Sequence, residues 1–166
     1  STITLTATIS GVTDSAVTVA LSTSGTATEG TDYGTISDIT ISAGATTGTA
    51  TLDPTDDNVY EGDETATIDI SSVSGKSGVT ENSTQQVSVT ISENESAPTV
   101  TLATSDTSIA ENAGSSLTLT ATLSVATTAD VTVALSTSGT ATEGTDYTDG
   151  SGAIDDIVIS AGSTTG

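Results

Sequence analysis

Seventeen residues, VTVALSTSGTATEGTDY, run from Val17 to Tyr33 and recur unchanged from Val131 to Tyr147. The self-match extends to both sides. ITLTATIS at Ile3–Ser10 aligns with LTLTATLS at Leu117–Ser124, again 114 positions on. DITISAGATTG at Asp38–Gly48 aligns with DIVISAGSTTG at Asp156–Gly166, now 118 positions on. Four residues are therefore inserted just after Tyr147, in the TDGSGA stretch. Insertions are tolerated in surface loops, where lengthening the chain costs little. A period this long is the size of a domain rather than of a solenoid turn. Expected are two tandem units, 1–97 and 98–166. The first has no counterpart of Pro98–Gly114 and the second none of Thr49–Ala97, so the array is expected to be cut at both ends.

Within each copy apolar residues alternate with a period of two. Ile3, Leu5, Ala7 and Ile9 share one face, with Thr and Ser on the other. The pattern returns at Val17, Val19, Leu21; Ile39, Ile41; Ala50, Leu52; Ala66, Ile68, Ile70; Val87, Val89, Ile91; Val100, Leu102; and Leu117, Leu119, Ala121, Leu123. Such alternation marks half-buried strands, and the abundance of Thr, Val and Ile favours the same conformation. Turn-rich pieces such as TSGTATEGTDYG and SVSGKSG separate the strands. About seven short strands per repeat predict an all-β fold of tandem immunoglobulin-like β-sandwiches. Tyr33, with no other large ring near it in sequence, is expected to plug one end of its sandwich.

The net charge is −21, from 22 acidic residues against a single basic one, Lys76. Nucleic-acid binding depends on Lys and Arg neutralising phosphates, so that class of partner is excluded. Anionic membrane surfaces are disfavoured on the same ground. The chain lacks Cys and His, which removes thiol nucleophiles, imidazole bases and nitrogen or sulfur metal sites. No apolar run approaches the ~18 residues a membrane helix needs, so no membrane insertion is expected in this segment. Paired carboxylates can hydrolyse glycosides, but there is no aromatic platform for a sugar, and the expectation is no enzyme. The short Thr rows are read as solvent faces of strands.

The acidic residues cluster. PTDDNVYEGDET carries Asp56, Asp57, Glu61, Asp63 and Glu64; ISENES carries Glu93 and Glu95; IAEN carries Glu111; and the EGTDY turn carries Glu29 and Asp32, with Glu143 and Asp146 in the second copy. Ca²⁺ takes six to eight oxygen ligands, many of them loop carboxylates, whereas converging carboxylates without a cation repel one another. Two readings stand side by side: a Ca²⁺ site at a domain end, or solvated acidic loops that serve solubility. An EF-hand is excluded, because the spacing and the glycine position do not fit.

The order of segments resembles the Calx-beta domain, a family first described in sodium–calcium exchangers and common in large bacterial surface proteins. The resemblance is carried by IAENAG, GTATEGTDY, SAGATTGTATLDPTDDNVYEGDETATIDI and QVSVTISENE. It implies a sandwich that binds Ca²⁺ at one end. Matched position by position, the implied ligands are Asp32, Asp56, Asp57, Glu61 and Glu64, with Glu93, Asn94 and Glu95 as the terminal acidic group. Glu111 and Asp146 match in the second copy. Asn58 stands where the exchanger type has a third Asp, and ENE replaces an all-Asp terminus. Both lower the local charge, so affinity near the extracellular range, roughly 10⁻⁴–10⁻³ M, is expected.

The expected role is a segment of a long extracellular, cell-surface adhesin whose repeats form a Ca²⁺-stiffened stalk or filament. Its composition is similar to that of gliding-type adhesins of Bacteroidetes. Expected partners are neighbouring repeats of the same chain, with filament self-association. The alternatives are a module that itself binds glycans or surfaces, and a Ca²⁺-sensing regulatory domain. Near-identity between tandem copies fits a spacer better than a sensor, since sensors diverge.

Overall fold

The computed structural model describes residues 1–111 and 114–166, and among them there is no helix. Asn112 and Ala113 of the IAENAG stretch lie outside the described residues. The strands in chain order are β1 (Ile3–Thr8), β2 (Val17–Gly25), β3 (Ile39–Ile41), β4 (Thr47–Leu52), β5 (Val59–Tyr60), β6 (Glu64–Ser74), β7 (Gln86–Ile91), β8 (Val100–Thr104), β9 (Leu119–Leu123), β10 (Ala126–Thr127), β11 (Val131–Val133) and β12 (Ile157–Ile159). Contacts group the chain into two compact units, Ser1–Asp57 with Gly62–Glu93, and Asn58–Glu61 with Asn94–Gly166.

The first unit is a β-sandwich. One layer is the antiparallel pair β1–β4, in which Leu5 lies opposite Ala50 and Ile3 opposite Leu52. The other is an antiparallel sheet ordered β3-β2-β6-β7. Period-two alternation sends Leu5, Ala50 and Leu52 inward from the first layer, and Val17, Val19, Ile39, Ile41, Ala66, Ile68 and Val89 inward from the second. Each fully buried aliphatic side chain contributes about 1.5–3 kcal/mol. Tyr33 joins this core with no exposed surface, as the sequence predicts for a plug.

The long strand β2 changes register against β6 between Ala20 and Leu21. Such a bulge leaves a backbone group outside the ladder. The Asp38 carboxylate fills that gap, accepting the Leu21 N–H at 3.1 Å. The second copy repeats the hydrogen bond without the bulge: Asp156 accepts the Leu135 N–H at 2.9 Å, two residues beyond the end of β11.

Gly48 shows why β4 closes tightly. A Cβ placed there would sit 2.5 Å from the Thr40 carbonyl oxygen and 2.8 Å from the Ile39 side chain. Only glycine allows this approach. Its counterpart Gly166 would meet the Val158 oxygen at 2.6 Å.

The second unit contains the antiparallel pairs β8–β9 and β11–β12 and the short parallel pair β10–β5. Its core is small: Ala121, Leu123 and Ile159, flanked by Val131, Val133 and Ile157. Several residues that the alternation assigns to an inner face are exposed here, including Val100, Leu102 and Leu119. Few strands of this unit stand opposite them. The four-residue insertion lies, as expected, in an exposed loop: every residue from 148 to 153 is exposed.

Lys76 makes an ion pair with Asp14 at 2.6 Å, with both side chains largely solvated. A pair of this kind contributes about 0–1 kcal/mol and leaves the chain's negative charge almost untouched.

Candidate metal centre

The repeated EGTDY segment folds as a self-contained turn. The Asp32 carboxylate accepts the Thr28 N–H at 2.6 Å, while the Asp32 and Thr31 N–H groups both donate to the Thr28 carbonyl. The turn is then joined to the segment after β4. Tyr33 bridges Pro54, the Gly34 N–H donates to Asp53, and the Thr55 N–H donates to the Asp32 carbonyl at 2.9 Å. These bonds hold the Asp32 backbone beside the start of the PTDDNVYEGDET stretch.

That stretch ends in the turn Glu61-Gly62-Asp63-Glu64, which leads directly into β6. Glu93 ties the turn down from the end of β7: its carboxylate accepts the Gly62 N–H at 2.7 Å, and its own N–H donates to Asp63 at 2.9 Å. Ladder pairing of Glu64 with Ile91 fixes the same neighbourhood.

Asp32, Glu61 and Glu64 each present one carboxylate oxygen within 4.8 Å of the others, and all three side chains are half-buried. The donor set is oxygen only, which suits a hard cation. Two oxygens bound to one Ca²⁺ at 2.3–2.6 Å stand at most roughly 5 Å apart, and the observed spread lies within that limit. The remaining coordination would come from backbone carbonyls, further carboxylates or water.

The other residues of the implied ligand set are placed as follows. Asp56 and Asp57 are exposed on the segment between β4 and β5. Glu93 is half-buried and bonded to the turn as described, and Asn94 and Glu95 follow it, exposed and half-buried respectively. Glu111 is exposed. Asp146 is exposed and repeats the turn of Asp32, accepting the Thr142 N–H at 2.6 Å. Among the described residues, the three-carboxylate group forms only around Asp32.

Two acidic pairs have roles that the spacing did not reveal. Glu29 accepts the Thr23 hydroxyl at 2.8 Å and the Ile36 N–H at 3.0 Å, so it shapes the loop that carries Asp32. Glu143 does the same with Thr137 at 2.8 Å and Ile154 at 2.5 Å. Asp38 supports the bulge noted above, and Asp156 accepts the equivalent Leu135 N–H beyond the end of β11. Their presence in both copies was the available signal: a residue retained through the repeat and also acidic can be scaffold as well as ligand.

Comparison with known proteins brings in one family. The Calx-beta domain matches residues 2–95 and again residues 93–155. No curated protein and no solved structure matches the chain. The family is non-catalytic and is associated with Ca²⁺ binding. With its two-layered sandwich, its repeated EGTDY turn and two successive matches, the chain belongs to the Calx-beta domain family.

Proposed function

We propose that this chain is a structural segment of a long, repetitive cell-surface adhesin, in which tandem Calx-beta repeats form an extracellular stalk stiffened by Ca²⁺. The repeats divide at 97/98. The observation that carries the reading is the meeting of Asp32, Glu61 and Glu64 within 4.8 Å on residues matched to the Calx-beta family. Asp56, Asp57, Glu93, Asn94 and Glu95 supply further oxygens from the adjoining segments. Glu111 and Asp146 serve a corresponding site in the second repeat.

The chemistry is neutralisation. A chain with a net charge of −21 repels itself, and the repulsion is greatest where carboxylates converge. A bound divalent cation turns that repulsion into cross-linking of the turn after Thr28 to the turn before β6. Loops fixed in this way resist bending and proteolysis, as an extended stalk requires. Near-identity of the two copies supports a spacer, where uniform units are an advantage.

Calcium titration of the whole chain, read by calorimetry and thermal unfolding, tests the reading. Millimolar Ca²⁺ is expected to raise the unfolding temperature, and the rise should vanish in Glu61→Gln and Glu64→Gln. An unchanged unfolding temperature would leave these carboxylates as solubility features. Small-angle scattering of a chain of several repeats, with Ca²⁺ and with chelator, tests the stiffening: equal maximum dimensions would rule it out.

A further inference from the structure

Asp32 stands on the loop that leaves β2 at Gly25 and returns to the core at Ile36. Glu29 crosses the neck of that loop. Its Oε2 accepts the Thr23 hydroxyl at 2.8 Å, and its Oε1 accepts the Ile36 N–H at 3.0 Å. Thr23 is fixed in β2 opposite Ile68, and Ile36 is buried. Both anchors therefore belong to the packed sandwich, and Asp32 lies between them. Glu29 is half-buried and is not among the three carboxylates that meet. The same loop is tied to the residue after Glu64: the Ala27 N–H donates to the Thr65 carbonyl at 3.0 Å, and the Thr65 N–H donates to the Thr26 hydroxyl at 2.8 Å.

The second copy isolates what the glutamate contributes. Four residues are inserted there between Tyr147 and Ile154, the counterpart of Ile36. Glu143 nevertheless spans the matching anchors, accepting the Thr137 hydroxyl at 2.8 Å and the Ile154 N–H at 2.5 Å. Asp146 still closes its turn on Thr142. The bridge is made again across a longer loop, so it belongs to the glutamate and its two anchors rather than to loop length.

We infer that Glu29 is a positioning residue for the cation: it ties Thr23 to Ile36 and so holds Asp32 in place before the ion arrives. The inference rests on the Ca²⁺ reading and assigns the control of affinity to a carboxylate that does not touch the metal. Both Glu29 oxygens already accept hydrogen bonds from the loop. An ion that had to order a loose loop would lose affinity to the conformational entropy of that ordering. A loop closed at its neck has met that cost on folding. What matters in Glu29 is then its reach and its acceptors, not its charge. Glu143 does the same for Asp146.

The experiment titrates the full chain with Ca²⁺, followed by NMR, and measures unfolding in chelator alongside. Glu29→Ala is expected to bind Ca²⁺ about 10- to 100-fold more weakly than the unaltered chain, the range for loss of an outer partner of a metal ligand. Thr23→Val removes one anchor and no charge, and should weaken binding by a smaller factor. Glu29→Gln keeps an acceptor for the Ile36 N–H and can meet the Thr23 hydroxyl through its amide, so it should recover most of the affinity lost in Glu29→Ala. Equal affinity in Glu29→Ala overturns the inference, even if the variant unfolds more easily in chelator, since Glu29 is then a stabilising residue only. Glu29→Gln as weak as Glu29→Ala overturns it as well, because charge and not position is then what the ion senses. Should Glu29→Ala not fold, Thr23→Val decides, and unchanged affinity there overturns the inference. An unaltered chain that takes up no Ca²⁺ overturns the Ca²⁺ reading and this one together, whereas equal binding by the unaltered chain and Glu29→Ala overturns this one alone.

Discussion

The Asp32 carboxylate accepts the Thr28 N–H at 2.6 Å, and Asp146 and Thr142, 114 residues further on, keep the same bond at the same length. One residue thus closes a turn and faces Glu61 and Glu64. Asp32→Asn retains an acceptor for Thr28 but removes the charge. Stability without Ca²⁺ is expected to change little, while the Ca²⁺-dependent rise in unfolding temperature is lost. Asp32→Ala loses the turn bond as well and should cost a further ~1 kcal/mol. Thermal unfolding of both variants, with Ca²⁺ and with chelator, separates the two effects.

Tyr33 is fully buried, and its hydroxyl has no hydrogen-bond partner among the described residues. Burying an unpaired polar group costs about 1–3 kcal/mol. Tyr33→Phe keeps the ring and its packing. It is expected to leave stability equal or raise it by about 1 kcal/mol, whereas Tyr33→Ala opens a cavity and should cost about 3–5 kcal/mol. Chemical denaturation of the two variants checks both signs.

Gly48→Ala places a methyl against the Thr40 carbonyl. Backbone on both sides must move, and a loss of about 1–3 kcal/mol is expected. A neutral result in urea unfolding would mean that β3 and β4 yield more readily than a packed sandwich should.

Asp149 lies in the inserted loop, and its carboxyl is held below the usual 3.8, chiefly by the Ser151 hydroxyl and then by the Ser151 N–H. The hydroxyl and the amide each donate at 2.7 Å. A lowered acid favours the folded loop above its ordinary titration range, and the preference is lost as pH falls through the depressed value. NMR titration should find Asp149 ionising below 3.8, and Ser151→Ala should move it back up. No movement would assign the shift to other neighbours.

Much of the fold was legible because burial in a sandwich follows alternation. Val17 and Val19, Ile39 and Ile41, and Ala66 and Ile68 all point inward as the pattern predicts. Identical sequence, however, did not give identical structure. VTVALSTSG forms the nine-residue strand β2 in the first copy but only the three-residue β11 in the second. β2 has β6 and β3 on its two sides, and among the described residues β11 has only β12. Tyr33 is fully buried, while Tyr147, in the same seventeen residues, is only half-buried. Strand length and burial here belong to the partners, which a local pattern does not contain. The site was legible in kind rather than in membership. Clustered carboxylates pointed to a hard cation, but which of them meet depends on the Tyr33–Pro54 bridge and on the Glu93–Gly62 bond, both long-range.

Lys76 has a consequence outside electrostatics. It is the sole Lys or Arg in the chain and sits between β6 and β7, held by Asp14. Trypsin-like proteases therefore have one place to cut. A cut there severs the connection between two strands that remain hydrogen-bonded neighbours, so the nicked sheet still has its ladder to hold it together. A nearly cation-free sequence gives such proteases almost nothing to cut, and its one gap lies at a turn whose loss the sheet can bridge.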